Sequence, residues 1–192
     1  MINSLVNQGE SCFQDLLEST CRELKKGNLS PFQIVPYPQI TLNTILKSQL
    51  GDLNKAIHDL EKRRFAFSCA SVDFLLVLNN GHRIPLVAIE RQGKYHDESS
   101  RQQECDQMKL ELLNQAGILL LWQKEPRMGI IELYEPLQRL LCRFNVYSGD
   151  GKKDFIYLVE TCLLNSIKKI GLDDMPNYCD NNLFEFPQIV KF

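Results

Sequence analysis

The sequence predicts an α/β protein: a mixed sheet of about four strands flanked by helices, with extra helices at the C-terminal end. Three observations predict it. Three short strand-like runs follow one another over residues 65–90, a long helical pattern occupies 98–116, and a fourth strand-like run follows at 118–122. That last run shows no polar alternation, as expected of a strand covered on both faces and reached through a helical crossover.

Over residues 11–26, Phe13, Leu16, Leu17, Cys21 and Leu24 recur at helical spacing, and Gly27 and Asn28 end the helix. Residues 32–38 are extended and punctuated by proline, and 40–50 form a short helical pattern. Residues 52–63 read as another helix, with Leu53, Ala56, Ile57 and Leu60 on its apolar side before the polar run Glu61-Lys62-Arg63-Arg64. The strand-like runs are 65–69, 72–78 and 86–90. Gly117 ends the long helix, and 137–144 and 155–170 read as two further helices before an irregular tail.

Composition bounds the partners. The 192 residues suit one domain with an extension, and a chain of this length buries roughly 70% of its unfolded surface without a metal or disulfide staple. The formal net charge is −2, so no global basic field exists to hold nucleic acid, and any such contact must be local. Residues 171–186 carry Asp173, Asp174, Asp180 and Glu185 with no Lys or Arg, a segment a phosphate backbone would avoid. The longest apolar runs, 74–78 and 118–122, fall far short of the ~20 residues a membrane helix needs. Seven scattered cysteines without CxxC spacing, and the lack of an export signal, point to reduced thiols and a cytoplasmic location.

The chemistry-bearing feature is a pair of acids on neighbouring strands. Asn80-Gly81 is a hairpin signal, because a type I′ turn needs positive φ at both central residues. With those two as the loop, Asn79 pairs with His82 and Asp73 lies opposite Ala88. Side chains two apart share a face, so Glu90 and Gln92 join Ala88 on the face of Asp73. The two carboxylates are then diagonal neighbours about 7–8 Å apart at Cβ, within reach of one divalent cation. A loop one residue longer reverses that parity and separates them.

A lysine joins them from the following helix. On a helical wheel Cys105, Met108, Leu112 and Ala116 define the buried stripe; Lys109 falls inside it and Asp106 at its margin. A buried lysine is tolerable only beside opposite charge. Taken singly, each residue has an ordinary structural use as a strand-end acid, an ion pair or a surface i,i+3 pair. Their arrival together favours a site.

The same residues carry a family resemblance. Ser71-Val72-Asp73-Phe74, Ala88-Ile89-Glu90-Arg91-Gln92-Gly93 with His96, Asp106-Gln107-Met108-Lys109 and Ala116-Gly117-Ile118-Leu119-Leu120 resemble the PD-(D/E)xK nuclease superfamily. More narrowly, with Phe32-Gln33-Ile34-Val35-Pro36 and Gln39-Ile40-Thr41-Leu42, they resemble a bacterial branch of restriction-endonuclease-like domains related to very-short-patch-repair endonucleases. The resemblance covers about residues 25 to 125.

It implies a restriction-endonuclease-like core and a divalent-metal-dependent nuclease hydrolysing phosphodiester bonds, in DNA first of all. Asp73 and Glu90 take the places of the two motif acids, as ligands of Mg²⁺ or Mn²⁺, with the Arg91 carbonyl a further donor. The motif lysine is absent, and Gln92 occupies its place. Two readings follow. Either Lys109, recruited from the helix, supplies the missing ammonium, or the domain is catalytically inactive and binds nucleic acid or a protein partner.

His96 is a candidate general acid or phosphate contact. Arg91, Lys94, Arg101 and Lys109 are candidate phosphate contacts, although Asp97, Glu98, Glu104 and Asp106 balance them within the same segment. The expected organisation is a nuclease-like domain over residues 1–134, including the N-terminal helix. Residues 135–192 form a helical extension on the same domain, available to a protein partner or a homodimer contact.

Overall fold

The computed structural model describes residues 8–27, 29, 32–79, 83–92 and 100–171. Its centre is one six-stranded mixed sheet in the order β1-β2-β3-β4-β5-β6. The strands are β1 (Ile34–Thr41), β2 (Ser71–Asn79), β3 (Arg83–Arg91), β4 (Leu119–Arg127), β5 (Ile130–Glu135) and β6 (Leu140–Asn145). Neighbours are antiparallel except β3 and β4, which run parallel. The crossover between those two contains α5 (Ser100–Gln115), as a parallel pair requires.

Helices cover both faces. On one, α1 (Gln8–Leu24) and α6 (Gly149–Lys169) close a core around Phe13, Leu17, Phe74, Leu76, Leu121 and Phe155. On the other, α2 (Leu42–Leu50), α3 (Leu53–Ala56), α4 (Leu60–Ala66) and α5 close a second core around Leu46, Leu75, Val77, Ala88, Leu113 and Leu120. The unbroken apolar run of β2 follows directly. Phe74, Leu76 and Leu78 enter the first core, Leu75 and Val77 the second.

The α/β class and the helix-flanked mixed sheet agree with the sequence reading, but the strand count is six where about four were expected. The strand expected at 65–69 is absent: Asp59 accepts from the backbone N–H groups of Glu61 and Lys62 and starts α4, which runs to Ala66 and into a turn. The same cap splits the single helix expected over 52–63 into α3 and α4. Its place as third strand goes to the proline-punctuated segment, now β1. An edge strand tolerates Pro36 and Pro38, whose missing donors point away from the ladder.

The helix expected over 137–144 is instead β6, and β5 precedes it. The described part of residues 135–192 is therefore a strand of the common sheet plus α6, not an all-helical extension. The tail beyond residue 171 lies outside the described residues. Among the described residues no helix is long and apolar enough to cross a membrane.

Candidate functional site

The register of β2 on β3 brings the two acids together by a route the sequence does not announce. Asn79 pairs with Arg83, not His82, so three residues rather than two separate the paired ends; Asn80, Gly81 and His82 themselves lie outside the described residues. That extra residue alone reverses the parity and puts Asp73 opposite Ile89. A second irregularity corrects it. The register shifts at Leu76/Val77, where Val77 pairs with Pro85 and Leu76 with Val87, leaving Leu86 as a bulge residue.

Leu86 and Val87, though consecutive, accordingly both enter the α1/α6 core, while Ala88 faces the α5 side. Continued from Phe74↔Ile89, the register sets Asp73 opposite Glu90. The expected diagonal pair is thus a directly opposed pair.

Asp73 is held from two sides: the Arg91 backbone N–H donates to Oδ2 at 2.7 Å and the Gln39 side-chain amide to Oδ1 at 3.4 Å. Gln39 reaches it from a left-handed backbone (φ 53°) in the middle of β1. Glu90 is only 7% exposed and forms an ion pair with Lys109, itself 8% exposed. One carboxylate oxygen of Glu90 accepts from the Lys109 ammonium; the other, Oε2, is buried with no hydrogen-bond partner among the described residues.

Burial pushes the Glu90 carboxyl up to about 7; Lys109 opposes the shift, and Asp73 and Asp106 add to it. All four charges are therefore within electrostatic reach of one another. Desolvation exceeds the pull of the lysine, so a proton or a cation beside Oε2 is favoured.

The helix face differs from the wheel. Asp106, Lys109, Leu110, Leu112 and Leu113 are buried, whereas Cys105, Met108 and Ala116 are only half-buried. Lys109 is nonetheless directed at the sheet, and Asp106, expected at the margin, is buried and accepts from Gln102 at 3.0 Å. Gly117, at φ 75°, ends the helix with the Ile118 N–H returning to the Leu113 carbonyl.

Of the other candidate residues, Gln92 joins its backbone N–H to the Gln123 carbonyl at 2.8 Å and turns its side chain into a cleft beside Trp122. Arg91 lies against Glu125, its guanidinium 3.9 Å from that carboxylate. Arg101 is exposed near the start of α5. Lys94 and His96 fall outside the described residues.

Two features escape the sequence reading. Trp122 on β4 stacks on Tyr134 of β5, with ring centroids 5.6 Å apart. Gln123 is fully buried with both amide atoms unpartnered among the described residues. The alternation of β5, with Ile131, Leu133 and Glu135 buried and Glu132 and Tyr134 on the other side, is the signal that finds the first.

Among the described residues no group of three or more His, Cys, Asp and Glu side chains forms a metal cage. The donor set at Asp73 and Glu90 is two hard carboxylates with one buried oxygen that is unpaired among the described residues. It suits a small dication held by one or two carboxylates and completed by water or by a ligand's own oxygens.

Neither curated proteins nor solved structures give a significant match to the chain. Residues 2–137 match the family of proteins of unknown function designated DUF2726, a span holding β1 to β5, Asp73, Glu90 and Lys109, and on that match the chain belongs to this family.

Proposed function

We propose that the protein is a divalent-metal-dependent nuclease of the PD-(D/E)xK type, with a restriction-endonuclease-like core, that hydrolyses phosphodiester bonds in DNA. The observation carrying this reading is the buried Lys109–Glu90 ion pair beside Asp73, with Glu90 Oε2 unpaired among the described residues. An ammonium reaching the second acid from the following helix answers the absence of the motif lysine at Gln92. Bound Mg²⁺ or Mn²⁺ supplies Lewis acidity at the scissile phosphate and lowers the pKa of water.

The chain's own residues do the rest. Asp73 and Glu90 present carboxylate oxygens to the cation. The Arg91 N–H and the Gln39 amide fix Asp73 so that its orientation survives substrate binding. With a cation held by Glu90, Lys109 would be freed from charge pairing and would orient the attacking water or offset charge gathering on the phosphate oxygens.

The test is cleavage of plasmid and linear DNA with Mg²⁺ or Mn²⁺, with Glu90→Ala and Lys109→Ala as controls shown to be folded by circular dichroism. Metal-dependent cleavage lost in Glu90→Ala supports the reading. A folded wild-type protein that cuts neither DNA nor RNA with either ion overturns it.

One observation favours a second reading, a catalytically inactive module that binds nucleic acid or a protein partner. Lys109 already neutralises Glu90, and among the described residues no third ligand stands beside the two acids. No heat of Mg²⁺ or Mn²⁺ binding at millimolar concentration selects it.

A further inference from the structure

The stacked pair Trp122–Tyr134 has no use in the chemistry above. It sits in the same cross-strand row as Glu90: β3 pairs Glu90 with Trp122, and β5 pairs Tyr134 with Trp122. Adjacent strands are about 4.8 Å apart, so the two rings lie roughly 5 and 10 Å across the sheet from the acid. On this face α5 runs along β4 and leaves a cleft of about 310 Å³ lined by Gln92, Trp122, Lys124, Glu132, Tyr134 and Leu141. Both rings are half-buried, their bodies in the cleft wall.

We infer that the Trp122–Tyr134 pair is a stacking platform for an unpaired nucleobase of a DNA strand whose phosphate lies at Asp73 and Glu90. The choice of ligand rests on the nuclease reading; the platform itself rests on ring geometry and the cleft. Every base has a π-face that aromatic rings bind with little regard to sequence. In duplex DNA those faces are hidden by stacking, so the site selects a single-stranded, frayed or flipped nucleotide. At about 3.4 Å per stacked nucleotide, the platform takes a base roughly two or three positions from the phosphate at Glu90. The Gln92 amide, on the cleft wall, offers a donor and an acceptor to a base edge.

Trp122 is the single tryptophan of the chain, so tryptophan fluorescence, excited beyond the tyrosine absorption band, reports this site alone. The experiment titrates the full chain in EDTA with an oligothymidylate of about 12 residues, within the site sizes of single-strand binders. An abasic oligonucleotide of the same length and the matching duplex serve as comparisons. Quenching by the oligothymidylate, weak or absent with the other two, is the expected result. Tyr134→Ala and Trp122→Ala, followed by anisotropy of a labelled oligonucleotide, lower affinity roughly ten- to a hundredfold, and Trp122→Phe retains most of it.

No quenching, equal quenching by the abasic strand, or unchanged affinity in folded Tyr134→Ala and Trp122→Ala protein overturns the inference. Because nothing is cleaved in EDTA, the two proposals separate. Quenching in a protein that never cuts DNA keeps the platform and removes the nuclease, and Mg²⁺-dependent cutting without quenching does the reverse.

Discussion

Lys109 reaches across from α5 to one carboxylate oxygen of Glu90 and leaves the other buried without a partner among the described residues. Removing the lysine strands an acid in a nearly dry site, and the acid answers by holding its proton more tightly. Lys109→Met therefore destabilises little near pH 5, where Glu90 is already neutral. Above about pH 7 the deficit grows by roughly 1.4 kcal/mol per pH unit, toward the 3–5 kcal/mol typical of a broken buried pair. Urea unfolding of wild type and variant across that range checks it, and Glu90→Gln/Lys109→Met recovers most of the loss.

The wild-type protein carries a pH signature of its own. In the folded state Glu90 titrates at about 7, against an ordinary value of 4.5. The folded form thus binds the proton more strongly than the unfolded chain, so the contribution is complete below about 4.5 and lost as pH rises toward 7. The metal-free protein loses roughly 3 kcal/mol over that interval. Glu90→Gln removes the slope, which unfolding in EDTA at several pH values measures. In wild type, Mg²⁺ binding near neutral pH releases a proton, read by calorimetry in buffers of different ionisation heat.

Asp73 raises the Glu90 carboxyl through like-charge repulsion. Asp73→Asn keeps an oxygen to accept from the Arg91 N–H while deleting the charge, so the Glu90 titration moves down from about 7. Carboxyl carbon NMR of the metal-free protein follows it. An unmoved titration separates the two acids and removes the pair from the site.

How much of this was legible follows from particular residues. The β3-α5-β4 crossover was readable because Gly117 and the unalternating run 118–122 mark it locally. The face shared by Asp73 and Glu90 was expected from a two-residue loop, yet it results from two deviations that cancel: a wider connection after Asn79 and the bulge at Leu86. Each depends on which core claims Leu86 and Val87, a tertiary matter that a local pattern does not encode. The helical pattern over 52–63 does not single out Asp59, whose capping bonds to Glu61 and Lys62 start α4 and carry it to Ala66, into the run at 65–69 that reads as a strand. The strands β5 and β6 were missed because β6, read alone, offers helical spacing as readily as strand alternation.

Gln123 tests whether the sheet's opposite face carries a polar function or only an energetic burden. It is fully buried in the apolar interior of the α1/α6 side, between Arg91 and Leu133 in the ladder, and among the described residues neither its amide nitrogen nor its oxygen has a partner. An unmet buried amide costs about 1–3 kcal/mol. Gln123→Leu removes that penalty at similar volume and leaves the backbone carbonyl that receives the Gln92 N–H untouched. The variant is expected to be more stable by about 1–2 kcal/mol in urea unfolding, with metal binding at Asp73 and Glu90 unchanged. A destabilised variant shows instead that the amide is used in the folded protein.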